Sequence, residues 1–114
     1  MRKLILAAVA AVLCTSASAQ VACSGKDACA VMWQRAQLWI AKNSEVKIQT
    51  ATDVLIQTFG AESTTTTITY TVTREPVGVD SYTVEMQAGC GNWFGCGPKP
   101  VKVQIASFYE YIQR

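Results

Sequence analysis

The 114-residue chain has no histidine. That absence excludes Ser-His-Asp triads, Cys-His dyads and His-ligated zinc, the commonest routes to nucleophilic and metal-assisted catalysis. No internal repeat or low-complexity linker divides it, so one domain is expected behind an N-terminal segment. There is also almost no excess of charge. Ten Lys and Arg face eight Asp and Glu. The surplus is Arg2 and Lys3, so from Gln20 onward the two signs balance at eight each. A neutral surface offers no basic patch for phosphates, and no nucleic-acid partner is expected. Half of the residues are hydrophobic and 16% are charged, which is too apolar for a chain disordered along its length.

One apolar run is present, and it is short. Leu4 to Leu13 follows Met1-Arg2-Lys3 and spans ten residues, about half of what a membrane crossing needs. Ala17-x-Ala19 fits the small-residue pattern of signal peptidase, which predicts a leader over 1–19 and a mature chain from Gln20. A short basic start of this kind looks bacterial, so the expected destination is the periplasm or the medium, with no membrane span. Cys14 offers a lipoprotein alternative, but Leu13 before it is larger than that cleavage pocket usually takes.

Four cysteines follow, Cys23, Cys29, Cys90 and Cys96, in two C-x5-C pairs. CxxC knuckles and histidines are both missing, so two disulfides are a better reading than a zinc site. Three connectivities remain open. The local pairs Cys23–Cys29 and Cys90–Cys96 are favoured because each loop is short and turn-rich. Each closure is worth about 2 kcal/mol on a chain-entropy estimate.

Ser24 and Asp27 read as a capping box opening a helix that runs to about Asn43. Cys29, Met32, Trp33, Ala36, Trp39, Ile40 and Asn43 recur at spacings of three and four and form one apolar stripe. Trp33 and Trp39 are therefore expected in the core. Alternation then predicts four strands: Glu45 to Thr50, Val54 to Phe59, Thr64 to Arg74, and Tyr82 to Ala88. Glu75 to Ser81 reads as the turn before the last strand. A closing helix is expected from Pro100, placed at its first position, to Arg114, with a stripe of Val101, Ile105, Phe108, Tyr109 and Ile112. The predicted fold is α+β in the order α-β-β-β-β-α. It has two layers, a four-stranded antiparallel sheet with both helices on one face. Thr67, Thr69, Thr71, Thr73, Glu85 and Gln87 are left facing water.

The stretches Trp33 to Ser44 (WQRAQLWIAKNS), Lys47 to Phe59 (KIQTATDVLIQTF) and Cys90 to Cys96 (CGNWFGC) resemble small secreted bacterial proteins grouped as a domain of unknown function with a TBP-like fold. The resemblance implies a helix, an antiparallel sheet and a closing helix, with a short edge strand ahead of the first helix at Gln20-Val21-Ala22. It implies no activity, and the TBP comparison concerns topology alone.

The leading candidate site is the tip of the second cysteine loop, Trp93 and Phe94 beside Asn92. There a disulfide would hold aromatic rings ready for a partner; the bland alternative is that both rings cap the core. The threonine face is a second candidate, although β-propensity alone accounts for it. The carboxylates Asp27, Glu45, Asp53, Glu62, Glu75, Asp80, Glu85 and Glu110 form no evident catalytic pair. Asp27 reads as a cap, Asp80 as a turn residue and Glu110 as a helix-surface charge. No metal or cofactor is implied. The expected function is a non-catalytic, exported interaction module that binds a protein or envelope component through the aromatic loop or a sheet edge. A periplasmic immunity protein is one specific version. The alternatives are a small-ligand binder with a pocket between helices and sheet, and a hydrolase working with carboxylates.

Overall fold

A computed structural model describes residues 20–60, 66–91, 95–97 and 100–114. Two helices and five strands follow in the order β1 (Gln20–Ser24), α1 (Lys26–Asn43), β2 (Ile48–Ala51), β3 (Leu55–Thr58), β4 (Thr69–Gly78), β5 (Ser81–Gly89) and α2 (Val101–Ile112). The strands form one antiparallel sheet in the spatial order β1-β5-β4-β3-β2. The α+β class and its two helices are as expected, but the sheet has five strands rather than four.

The added strand is β1. A short edge strand is what the resemblance implied at Gln20-Val21-Ala22; it runs on to Ser24 with alternating burial and lies along β5, Gln20 pairing with Glu85 and Ser24 with Ser81. That pairing also removes the expected capping box. Ser24 belongs to the ladder, so α1 starts one residue later behind Gly25, and no side chain caps it. Gly25 makes the corner at φ 100°, a conformation that disfavours residues with a Cβ. Its N–H donates to the Asp80 carbonyl at 2.8 Å, and its carbonyl accepts from the Cys29 N–H at 2.9 Å.

The predicted stripe of α1 is the buried one. Cys29, Trp33, Ala36, Trp39 and Ile40 are buried, and Met32 is half-buried against them. They meet Phe108, Tyr109 and Ile112 of α2 over Ile56, Tyr70, Val72, Val84 and Met86 of the sheet. Trp39 stands edge-on to both Tyr70 and Phe108, with ring centroids 5.4 and 5.5 Å apart, the geometry aromatic quadrupoles prefer. Both indole N–H groups are used: Trp33 donates to the Thr52 carbonyl at 2.9 Å, and Trp39 to the Ser107 hydroxyl at 3.4 Å.

Several boundaries move for local reasons. The first predicted strand loses its start because the Ser44 hydroxyl folds residues 44–46 into a turn, donating to the Val46 carbonyl at 2.7 Å and accepting its N–H at 3.1 Å. β4 continues through the predicted turn to Gly78, with a bulge between Pro76 and Gly78. The reversal itself is made around Asp80, at φ 54°. Pro100 precedes α2 in extended conformation instead of opening it. Both helices lie on one sheet face. Among the described residues no element covers the other.

Candidate functional site

The two disulfides are the local pairs Cys23–Cys29 and Cys90–Cys96, with Cα separations of 5.3 and 5.4 Å. They stand at opposite ends of the sheet. At the first end three segments converge: the β1–α1 corner, the β2–β3 loop and the tip of the β4–β5 hairpin. Arg74 holds them together. It follows Tyr70 and Val72 on the core-facing side of β4, but beyond the reach of the main core. Its guanidinium carbon lies 5.0 Å from the Trp33 ring centroid and 4.3 Å from that of Tyr82. Nε donates to the Asp53 carbonyl, and Nη1 to the Cys29 carbonyl at 3.4 Å. Among the described residues no carboxylate pairs with it. A guanidinium tolerates this setting because the ring faces supply negative potential and the carbonyls take its planar N–H groups.

The loop beside Arg74 is equally determined. The Thr52 hydroxyl accepts N–H groups from Val54 at 3.2 Å and Leu55 at 3.0 Å, and the Arg74 N–H reaches the Val54 carbonyl at 3.1 Å. From this scaffold three aliphatic side chains project. Val54 is 50%, Val77 61% and Val79 91% exposed, and Pro76 is exposed near the end of β4. What the arrangement offers is fixed apolar contact.

The uncovered sheet face carries the expected hydroxyls and amides. Gln57, Thr71 and Gln87 form one row across β3, β4 and β5, and Leu55, Thr73, Glu85 and Gln20 form another that reaches β1. Its described carboxylates, Glu75 and Glu85, stand on an open sheet and share no cleft. Among the described residues no group of three or more His, Cys, Asp or Glu side chains could hold a metal. Asp80 is a turn residue, as expected. Glu110 is a helix-surface charge that pairs with Arg114 at 3.1 Å. Asp27 lies in the first turn of α1, but its side chain makes no cap.

At the second end, the Cys90–Cys96 bridge lies just past β5, and Gly97 after it packs against Thr66, ahead of β4. Gly97 is required there. It sits at φ 79°, and a Cβ on it would meet the Thr66 Cβ at 3.1 Å. Asn92, Trp93 and Phe94, the leading sequence candidates, lie outside the described residues, as do Glu62 and the whole expected leader. At this same end an open groove of about 280 Å³ runs between α1 and β2, lined by Ala41, Ser44, Glu45, Val46, Lys47 and Ile48. Between the helices and the sheet, the described core side chains of α1, α2, β3, β4 and β5 pack against one another.

Sequence reasoning missed Arg74 and the three valines. One signal was available: Arg74 continues the apolar parity of Tyr70 and Val72, where a charge calls for a specific partner. No family model matches the chain, no curated protein matches it, and no solved structure matches its fold.

Proposed function

We propose that the protein is an exported, non-catalytic interaction module that acts in the periplasm or outside the cell after removal of residues 1–19. In this reading it binds a protein or envelope component through the valine-tipped end of its sheet. The observation that carries the reading is the combination of Val54, Val77 and Val79 exposed at one end with the Arg74–Trp33–Tyr82 stack fixed behind them. Burying a fully exposed valine is worth about 1.5–3 kcal/mol, most nearly available at Val79 and less at the partly covered Val54 and Val77, and tips already held in place lose little freedom on binding.

Two further features support it. The disulfides suit an oxidising compartment, and no described helix is long and apolar enough to cross a membrane. Strand addition at β2 is less well supported. That edge has four residues and a bulge between Ile48 and Thr50, and Lys47 precedes it; these are features that discourage pairing with another chain. Membership in the secreted group with a TBP-like fold belongs to the same proposal, and the edge strand β1 agrees with it.

Crosslinking in intact cells tests the reading. Wild-type protein gives a discrete crosslinked partner. Val79→Asp loses it without a change in urea midpoint, while Glu110→Gln on the helix layer keeps it. The same crosslinked species from wild type and Val79→Asp overturns the reading.

A further inference from the structure

The outer side of the helix layer differs in charge from the sheet beneath it. On α1, Val31, Arg35, Leu38 and Lys42 follow at spacings of four, three and four, opposite the buried stripe of Trp33, Ala36 and Ile40. Val31 and Leu38 are 43% and 45% exposed, so this helix is not simply polar where it faces away from the core. On α2, Lys102 is exposed beside Val103, which is 58% exposed. Trp39 reaches Ser107 at 3.4 Å, and Arg35 Nη1 donates to the main-chain oxygen of Arg114. The helices therefore run antiparallel, and Lys42 and Lys102 stand at the same end of the pair.

The charges are unevenly shared. The helices and Arg114 carry five cations (Lys26, Arg35, Lys42, Lys102 and Arg114) against Asp27 and Glu110. Within β4 and β5 the open sheet face bears Glu75 and Glu85 and no cation, while Glu45 and Lys47, between α1 and β2, offset one another. Glu110 neutralises Arg114, and Asp27 is the immediate neighbour of Lys26. The excess is thus centred on Arg35, Lys42 and Lys102, with Val31, Leu38 and Val103 set among them.

We infer that the outer side of α1 and α2 docks on an anionic lipid surface, its cations over the headgroup phosphates and its three aliphatic side chains reaching below them. Alternation of lysine or arginine with exposed aliphatic residues suits a layer that is anionic above and apolar beneath. An acidic protein is a poorer fit. Among the described residues the exposed cations of this side line no groove that would fix the position of a partner carboxylate, and exposed ion pairs contribute little without such fixing.

Cosedimentation with phosphatidylglycerol and phosphatidylcholine vesicles tests this, using the oxidised, exported protein with the N-terminus it carries. Comparison among variants removes any contribution of that N-terminus. The wild type binds phosphatidylglycerol and not phosphatidylcholine. Binding weakens as ionic strength rises from about 0.1 to about 1 M, where the screening length falls from about 10 to about 3 Å. Lys42→Gln and Lys102→Gln each lower partitioning about fivefold, and together about twenty-five-fold. Leu38→Ser lowers it several-fold, and Glu85→Gln on the opposite face leaves it unchanged. Both lysines are exposed, so an unchanged near-ultraviolet dichroism spectrum confirms that the double variant is folded. Equal binding to the two lipids, or wild-type binding by the folded double variant, overturns the inference. Retention by soluble polyglutamate without vesicle binding also overturns it, in favour of an acidic protein partner.

Discussion

Cys23–Cys29 and Cys90–Cys96 close rings of the same size, each with a sequence separation of six. Chain entropy alone would give them the same value, but their surroundings differ. Cys23 and Cys29 are 8% and 2% exposed and join an edge strand to the first turn of a helix. Cys90 and Cys96 are half-buried and close a loop between β5 and α2. The first bridge stands behind an end whose loops are tied by Arg74, Thr52 and Gly25. Next to the second, Gly97 packs against Thr66, ahead of β4. A cross-link of fixed length thus contributes according to what it joins, and the end built from three sequence-distant segments depends on its bridge more.

The largest expected effect breaks that first end. Replacing Cys23 and Cys29 by alanine costs about 3 kcal/mol in urea unfolding, since β1 loses its tether as well as the loop constraint. The same change at Cys90 and Cys96 costs about 2 kcal/mol or less. Access sharpens the contrast, because thiol–disulfide exchange requires the attacking thiolate to reach a sulfur. In a graded reductant series followed by alkylation and mass analysis, Cys90 and Cys96 are labelled well before Cys23 and Cys29. The reverse order breaks the comparison.

Arg74→Ala comes next, at about 2 kcal/mol. It removes two cation–ring contacts, each worth about 0.5–1 kcal/mol or more, and leaves the Asp53 and Cys29 carbonyls without these donors. Arg74→Lys recovers part of the loss, because an ammonium keeps the charge but not the planar fork. Hydrogen exchange should rise at the β2–β3 loop and the β1–α1 corner and stay unchanged around Cys90. Uniform loss of protection would mean that Arg74 supports the whole core rather than one end.

Tyr109 tests the other half of the molecule. Its hydroxyl accepts the Met86 N–H at 2.8 Å, beyond the point where β1 pairs with β5. Burial chiefly raises its pKa above the ordinary 10.0, with the Met86 N–H opposing and the Glu85 carboxylate adding. The folded chain therefore holds this proton to higher pH than the unfolded chain does. The stabilisation is complete below about pH 10 and is lost as pH rises through that value and beyond. Tyr109→Phe costs about 1–2 kcal/mol at neutral pH, because it leaves the Met86 amide without this partner. It also flattens the fall of stability above pH 10, which alkaline urea titrations of both proteins would read.

Much of this was legible in residues that repeat. The stripe from Cys29 to Ile40 and the alternation from Tyr82 to Ala88 each state their buried face several times over, so a single exception does little harm. Elements that depend on one distant partner could not be read in this way. β1 is a strand because β5 is beside it, and Ser24 fails as a cap because that pairing claims it. Pro100 obeys its φ restriction, yet sits one residue before the helix. Val54, Val77 and Val79 have the composition of core residues. Their exposure follows from where they stand: Val54 in the β2–β3 loop, Val77 at the bulge of the hairpin and Val79 in its turn. Arg74 alone broke its local pattern, and it marks the end where three sequence-distant segments meet.

Val79→Ser gives the smallest change and the cleanest separation of binding from stability. At 91% exposure the side chain has almost no apolar contact to lose, and the turn depends on Asp80 at φ 54° rather than on its neighbour. The urea midpoint should move by the equivalent of less than about 0.5 kcal/mol, as for an ordinary surface position, while partner crosslinking falls. Arg74→Ala should lose both together, since it releases the support as well as the tip. A loss of stability from Val79→Ser close to that of Arg74→Ala would mean that the tip packs against the molecule. Its valines would then belong to the core, and the two ends would differ only in how their bridges are buried.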